Sequence, residues 1–223
     1  MKLYICACQF YQRTPRERIT AVQAACLAAQ MPCEVAPDLC YVAAKERDRL
    51  EKLADGDVVL ACQIRAVRAL LGNAGKHVRC IDLRSESLED ILHSLALTPV
   101  DDPGIPQRSI PAVGKNDIGW VPWFPVIDTE RCVHCRKCVD FCMFGVYAVE
   151  EETVRVVKPE SCKTDCPACA RICPQNAIMF PKSDEERLNG SLDAAIKPSA
   201  SDNTSFRERL KHRKGLRLFK EDE

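Results

Sequence analysis

Eight of the fifteen cysteines of this chain fall into two short runs. The first run, C-x2-C-x2-C-x3-C, contains Cys132, Cys135, Cys138 and Cys142. The second run, C-x3-C-x2-C-x3-C-P, contains Cys162, Cys166, Cys169 and Cys173. Closely spaced thiolates can wrap one side of an iron–sulfur cubane when the backbone between them forms a tight loop, and the last iron is then reached by a thiolate from elsewhere in the chain. The spacing therefore predicts iron–sulfur chemistry.

A pair of structural zinc sites is the main alternative, because four thiolates also suit tetrahedral zinc. Zinc ribbons usually place two C-x2-C pairs a dozen or more residues apart. The dense triplets in this chain do not follow that pattern and favour iron and sulfide. A c-type haem is excluded, because no C-x-x-C pair here is followed by histidine.

The two runs belong to an internal repeat. The segment 126–132 aligns with 156–162, and Cys142 aligns with Cys173, which predicts a duplicated unit of strand, loop and helix. On these residues, the segment 126–181 resembles the bacterial-type 2[4Fe-4S] ferredoxin family. The resemblance implies two [4Fe-4S] clusters, each with three ligands from one run and a fourth from the other. The implied sets are Cys132, Cys135, Cys138 and Cys173 for one cluster, and Cys162, Cys166, Cys169 and Cys142 for the other.

Residues 1–97 alternate short apolar runs with helical patterns, which is typical of an α/β layer with parallel strands. The predicted strands are residues 3–6, 33–36, 57–61 and 77–81. The predicted helices are residues 15–29, 42–54, 64–71 and 88–97. The expected fold is therefore an α/β N-terminal domain with a small parallel sheet, followed by an α+β ferredoxin-like two-cluster domain at 126–181.

Four further cysteines follow the first three predicted strands: Cys6, Cys8, Cys40 and Cys62. The carboxyl ends of parallel strands share one edge of the sheet, and ligands bind there. We therefore expect these thiols to converge as candidate ligands of a third cluster. The alternative is that they are small buried hydrophobic side chains, which is the interpretation we give to Cys26, Cys33 and Cys80.

A second resemblance concerns these N-terminal cysteines. The motifs Tyr4-Ile5-Cys6-Ala7-Cys8, Leu39-Cys40 and Val58-Val59-Leu60-Ala61-Cys62 are similar to the N-terminal iron–sulfur domain of the flavin-binding subunit of heterodisulfide reductase. They are more distantly similar to the iron–sulfur delta subunit of methyl-viologen-type hydrogenases. Both resemblances imply an electron carrier within a multi-subunit redox complex.

Two further segments are marked by their composition. Six prolines within residues 98–125 predict an extended linker that sets the reach between two domains, and Trp120 and Trp123 at its end predict an apolar plug. The polar composition of residues 182–223 predicts a disordered tail. Its end, Phe206 to Lys220, interleaves apolar and basic residues. It is a candidate basic helix that docks an acidic partner or a membrane surface, and the alternative is a solvated charged tail.

The overall composition restricts the class of protein. The formal net charge is zero, which gives no electrostatic case for binding nucleic acid. No apolar stretch reaches the length of a membrane span, and the first residues lack a signal-peptide core, so we expect a cytoplasmic protein. The odd number of cysteines and their spacing argue against a disulfide framework.

These features predict an iron–sulfur electron-transfer protein that is a subunit or dedicated partner of a redox enzyme complex. No acid–base constellation accompanies the thiols, because the histidines are scattered singly: His77, His93, His134 and His212. We expect this chain to have protein redox partners and to carry electrons rather than to catalyse a reaction by itself. The alternative is a thiol–disulfide oxidoreductase with Cys6 or Cys8 as nucleophile, fed with electrons by the ferredoxin domain.

Overall fold

The computed structural model describes residues 1–72, 75, 77–100 and 119–191. Four parallel strands form a sheet in the N-terminal half (residues 1–100), in the order β2-β1-β3-β4. The strands are β1 (Leu3–Cys6), β2 (Cys33–Ala36), β3 (Val58–Ala61) and β4 (Arg79–Asp82). The prediction of a small parallel sheet is confirmed. Its fourth strand ends one residue later than predicted and begins two residues later.

Helices cover both faces of this sheet, as a parallel sheet requires. Leu3, Ile5 and Leu60 face a core that includes side chains of α1 (Arg16–Ala28) and α5 (Leu88–Ser94). Val59 and Cys80, at alternate positions along their strands, face a second core with α2 (Leu39–Lys45) and α4 (Ile64–Leu71). The N-terminal half is therefore a three-layer α/β/α structure.

The single helix predicted at residues 42–54 is wrong. The chain forms two helices there, α2 and α3 (Arg47–Glu51). The first begins early because the Asp38 carboxylate accepts the N–H of Tyr41 at 3.2 Å and caps it. Glu46 then leaves helical geometry, with φ −133° and ψ 42°. As a result, Cys40 lies in the first turn of α2 rather than in a loop.

Short strands and helices form the C-terminal half (residues 119–191). Strand β5 (Val126–Ile127) pairs antiparallel with β8 (Ile178–Met179), and β6 (Tyr147–Glu150) pairs antiparallel with β7 (Thr153–Val156). The helices are α6 (Lys137–Phe141), α7 (Ala168–Ile172) and α8 (Glu186–Asn189), with a 3₁₀ turn at Pro159–Ser161. Each cysteine run thus has one helix, which contains its third cysteine, in agreement with the predicted repeat.

The two halves share a hydrophobic core. Phe124, Val126 and Met179 pack in the same cluster as buried side chains of α4. At its edge, Arg65 of α4 pairs with Asp128 at 2.7 Å, and both side chains are largely buried. The described residues all belong to one compact unit, Met1–Asp193. The predicted domain boundaries stay a prediction.

Parts of the predicted linker and tail lie outside the described residues, namely 101–118 and 192–223. Trp123, at the end of the predicted linker, is buried and stacks on Phe180 with ring centroids 5.2 Å apart. Within the described residues, no helix combines the length and apolarity needed to cross a membrane.

Gly190 provides a test of the contact between the halves. It follows α8 with φ +86°, and an added Cβ would lie 2.8 Å from Met179 Sδ and 3.0 Å from Ala66 Cβ. We expect Gly190→Ala to lower the free energy of unfolding through both backbone strain and steric overlap. Gly56 has φ +87° and open space around it, so Gly56→Ala supplies the strain alone. Thermal unfolding should show a lower midpoint for Gly190→Ala than for Gly56→Ala, and the free energy of unfolding should fall by about 1–3 kcal/mol more than in that control; equal losses would contradict the packing.

Candidate metal centres

Four of the seven cysteines of the N-terminal half meet at the carboxyl edge of the sheet. The chain leaves β1 for β2 on one side and returns to β3 on the other, so the topological switch point lies between β1 and β3. Cys6 ends β1, Cys8 follows it, and Cys62 follows β3. One cavity is lined by Cys6, Cys8, Cys40 and Cys62, which we call the N-terminal site. The structure thus brings the four predicted thiols together.

Main-chain donors point at the sulfurs of the N-terminal site. The N–H of Leu39, the first residue of α2, donates to Cys6 Sγ at 3.2 Å. Burial raises the pKa of Cys8 and Cys62, and the main-chain N–H groups of Tyr11 and Arg13 oppose this at Cys8, as that of Gln63 does at Cys62. Donors of this kind stabilise a thiolate and tune an iron–sulfur centre.

The four thiols of the N-terminal site are buried, with exposures of 3–8%. Burial is the main cause that raises the pKa of each, to about 12 for Cys62, and neighbouring negative groups add to it. As free thiols they would therefore stay neutral near pH 7. Coordination to a metal would reverse this preference, because the metal replaces the proton on sulfur and the proton is released to solvent.

A buried ion pair completes the lining of the N-terminal site. Lys182 Nζ lies 2.5 Å from Asp38 Oδ2, and their side chains are 3% and 1% exposed. Burial would lower the pKa of Lys182, but the nearby groups of Cys40, Asp38 and Cys8 raise it overall. Lys182 therefore remains a cation. It was not predicted from the sequence, because the polar composition placed residue 182 at the start of a disordered tail.

In the C-terminal half, a second cavity is lined by Cys132, Cys135, Cys138 and Cys173, which we call the first site. Three of these cysteines come from the first run, and Cys173 comes from the second. Burial, followed by the charges of Cys132 and Cys173, raises the pKa of Cys138 to about 11, with the N–H of Val139 opposing the shift. The N–H of Ala177 donates to Cys173 Sγ at 3.4 Å.

The remaining cysteines of the two runs, Cys142, Cys162, Cys166 and Cys169, form what we call the second site. Burial, followed by the charges of its three neighbours, raises the pKa of Cys162 to about 12. The neighbours are Cys169, Cys166 and Cys142, so one member again comes from the other run. Both sites therefore have the three-plus-one composition that the ferredoxin resemblance implies. The ligand assignments themselves stay a prediction.

Tyr147 is a functional candidate that was not predicted from the sequence. Its hydroxyl donates to Cys169 Sγ at 3.0 Å, and its side chain is buried. Tyr147 lies in β6, outside both cysteine runs, and no spacing rule marks it. His134, inside the first run, accepts the N–H of Val154 at its Nδ1 at 3.1 Å, so it is held by β7 rather than simply solvated.

The spacing of the thiols differs from that of a single-ion site. Among the described residues, no three His, Cys, Asp or Glu side chains converge closely enough to hold one metal ion. A cubane distributes its four thiolates over four irons, whereas zinc takes all four at about 2.3 Å.

All fifteen cysteines are free of disulfide bonds. Cys26 and Cys80 are buried and Cys33 is half-buried, and none of them lines the three sites.

Aromatic side chains lie between the N-terminal site and the second site. Tyr11 and Cys162 each pack against the core that holds the N-terminal site and against the core that holds Cys169. The Tyr11 ring lies 5.9 Å from that of Trp123, and its hydroxyl donates to Asp165 at 3.2 Å. Tyr11 thus links the core of the N-terminal site to the loop of the second cysteine run, in which Asp165 lies.

The sequence of the C-terminal half matches known iron–sulfur proteins. A family model described as a 4Fe-4S dicluster domain matches residues 124–185. An uncharacterized ferredoxin of Methanocaldococcus jannaschii is 44% identical over 70 residues, 31% of this chain and 48% of that protein. This chain thus spans about half the length of that ferredoxin.

Two further relatives are matched over most of their own length. Pyruvate synthase subunit PorD of the same organism is 37% identical over 65 residues, 29% of this chain and 74% of that protein. Ferredoxin-3 of Nostoc sp. is 32% identical over 76 residues, 26% of this chain and 77% of that protein. The predicted ferredoxin domain and the general function of iron–sulfur electron transfer are confirmed. Through residues 124–185, this chain belongs to the 4Fe-4S dicluster family of ferredoxins.

Proposed function

We propose that this chain is an electron-transfer subunit of a redox enzyme complex, with two [4Fe-4S] clusters in its C-terminal half and a third iron–sulfur cluster in its N-terminal half. The observation that carries the proposal is the convergence of four cysteines at each of three places in one compact unit. The similarity to a subunit of pyruvate synthase supports a role within a complex.

The donor sets of the three sites fit iron–sulfur clusters. When bound, such a cluster accepts and donates one electron with little rearrangement. Around each cluster, this chain would supply four thiolates, main-chain N–H donors to sulfur and an apolar surround that limits the access of water. Burial, charge and these hydrogen bonds are the means by which a protein sets the reduction potential.

The proposal of a third cluster is based on the geometry of the N-terminal site. Its cysteines lie at the switch point of a parallel sheet, where α/β proteins bind ligands. The N–H of Leu39, at the start of α2, donates to the sulfur of Cys6, as a main-chain donor to a cluster ligand would. The similarity to the flavin-binding subunit of heterodisulfide reductase remains a prediction that agrees with this proposal.

The three sites follow one another along the molecule. Helix α6 carries Cys138 of the first site and ends at Cys142 of the second site, about 6 Å further along its axis. Cys162 of the second site packs against the core of the N-terminal site. We infer the order first site, second site, N-terminal site, with the second site in the middle.

The alternative of a thiol–disulfide enzyme is disfavoured by the same geometry. A reactive cysteine is partly exposed and has a lowered pKa. Cys6 and Cys8 are 5% and 3% exposed, and burial raises the pKa of both. Their environment therefore suits metal ligands better than nucleophiles.

Protein partners are supported by the surface beside the first and second sites. Four large apolar side chains are exposed there: Val133, Phe141, Met143 and Phe144. Exposed apolar residues near a redox site suit contact with another protein. A cytoplasmic location and docking through the C-terminal tail stay predictions.

Iron and acid-labile sulfide, measured on anaerobically purified protein, test the number of clusters. We expect about twelve irons per chain for three [4Fe-4S] clusters, or about ten if the third is [2Fe-2S]. Cys40→Ser and Cys62→Ser each remove one candidate ligand, so each should lose only the iron of the third cluster. Cys26→Ser changes a buried cysteine outside the sites and is the matched control. About eight irons, unchanged in all three variants, would refute the third cluster.

Tyr147→Phe tests the second site. Removing the hydroxyl that donates to Cys169 should lower the reduction potential of the cluster there, because a hydrogen bond to sulfur stabilises the more negative, reduced state. The expected shift is roughly 20–60 mV, from a net hydrogen-bond energy of about 0.5–1.5 kcal/mol and 59 mV per tenfold change. A redox titration followed by electron paramagnetic resonance measures it. Tyr4→Phe, whose hydroxyl instead contacts Lys2, should leave all potentials unchanged; an equal shift there would contradict the assignment.

A further inference from the structure

Lys182 joins the C-terminal half to the N-terminal site. It follows β8 and the buried turn of Phe180 and Pro181, and it lines the same cavity as the four cysteines. Its carbonyl oxygen accepts Arg13 Nη2 at 2.7 Å, and its ammonium group lies 5.1 Å from the centre of the Tyr11 ring. The backbone and the side chain of Lys182 are thus both held by the N-terminal half.

A buried ammonium group in this position needs an explanation. Removing two charges from water costs more free energy than their attraction often returns, so a buried ion pair is weak evidence for a purely stabilising role. Lys182 and Asp38 are both almost fully enclosed. Their surroundings include the thiols of Cys8 and Cys40, which carry negative charge once they bind a metal.

The two members of the ion pair are not equivalent toward the sulfurs. Lys182 and Asp38 both line the cavity of the four thiols. Burial raises the pKa of all four thiols; the ammonium group of Lys182 lowers the pKa of Cys8, Cys40 and Cys62, and the carboxylate of Asp38 raises the pKa of Cys6, Cys8 and Cys40. The N-terminal site therefore has a fixed positive charge in its wall, which acts on the sulfurs in the opposite sense to Asp38.

We propose that Lys182 is a tuning residue of the N-terminal site, whose buried ammonium group raises the reduction potential of the cluster held there. The proposal rests on the third cluster under "Proposed function". An added electron makes the cluster and its thiolates more negative, so a nearby cation stabilises the reduced state and a nearby carboxylate destabilises it. The C-terminal half thus contributes the charge that sets the potential of the N-terminal site.

The test compares the two members of the ion pair in the full-length protein. Lys182→Met removes the cation with an unbranched apolar side chain and should lower the potential of the third cluster. Asp38→Asn keeps a capping side chain for α2, removes the anion and should raise that potential. Each should change the ratio of reduced to oxidised cluster at the wild-type midpoint by roughly tenfold, which corresponds to about 59 mV.

Two further variants separate charge from structure. Lys182→Arg keeps the charge and should stay near the wild-type potential. Lys2→Met removes a lysine that pairs with Glu34 near the opposite end of β1, and it should change no potential. Redox titrations followed by electron paramagnetic resonance, with iron counted in every sample, supply the readout.

The outcomes distinguish this proposal from the one on which it rests. Opposite shifts in the reduction potential of the third cluster in Lys182→Met and Asp38→Asn support the tuning role. A full iron count with no shift, or with shifts of the same sign, overturns it and leaves the third cluster intact. About eight irons in the wild-type protein overturn both proposals. If Lys182→Met fails to fold, Asp38→Asn alone decides: a raised potential supports the tuning role and an unchanged one overturns it.

Discussion

The closure of the carboxyl edge of the parallel sheet is the constraint on which the rest of the structure depends. The edge carries three of the N-terminal thiols, and α2 brings Cys40 to them. Left open, this edge would expose the thiols to water and leave Asp38 unpaired. Pro181 and Lys182 cover it from the C-terminal half, and the ammonium group of Lys182 pairs with the carboxylate. One short segment after β8 therefore excludes water and supplies a charge.

The first and second sites obey a more local constraint. Each triplet of cysteines begins in a loop and ends in the first turn of a short helix, with Cys138 in α6 and Cys169 in α7, and the last cysteine of each run lies just beyond that helix. Because the helices are only five residues long, the fourth thiol is carried away from its own triplet and toward the other. The crossed composition of the two sites follows from this geometry, and it ties the two repeats of the C-terminal half together.

Features that depend on local spacing were predictable from the sequence, and features that depend on distant contacts were not. Apolar runs predicted β1 and β2 at their observed bounds, and the ferredoxin resemblance, which rests on the cysteine spacing, implied the grouping of Cys132, Cys135, Cys138 and Cys173 that line one cavity. The break at Glu46 was missed, because the helical pattern continues through it and only the cap at Asp38 moves the start of α2. Lys182 lies 144 residues from Asp38, and Tyr147 lies 22 residues from Cys169, so no periodic pattern marks either residue.

The shared core bears on how this chain can carry electrons. A flexible linker would let two domains vary their separation, which is what the proline-rich segment predicts on its own. The described halves instead meet through Phe124 and Val126, the Arg65–Asp128 pair and the Lys182–Asp38 pair. Breaking this contact would expose apolar surface and leave a buried charge without its partner, at a cost of about 3–5 kcal/mol for the charge alone. The separation of the three sites is therefore set by packing rather than by the linker, which suits a relay within a complex better than a carrier that reaches between partners.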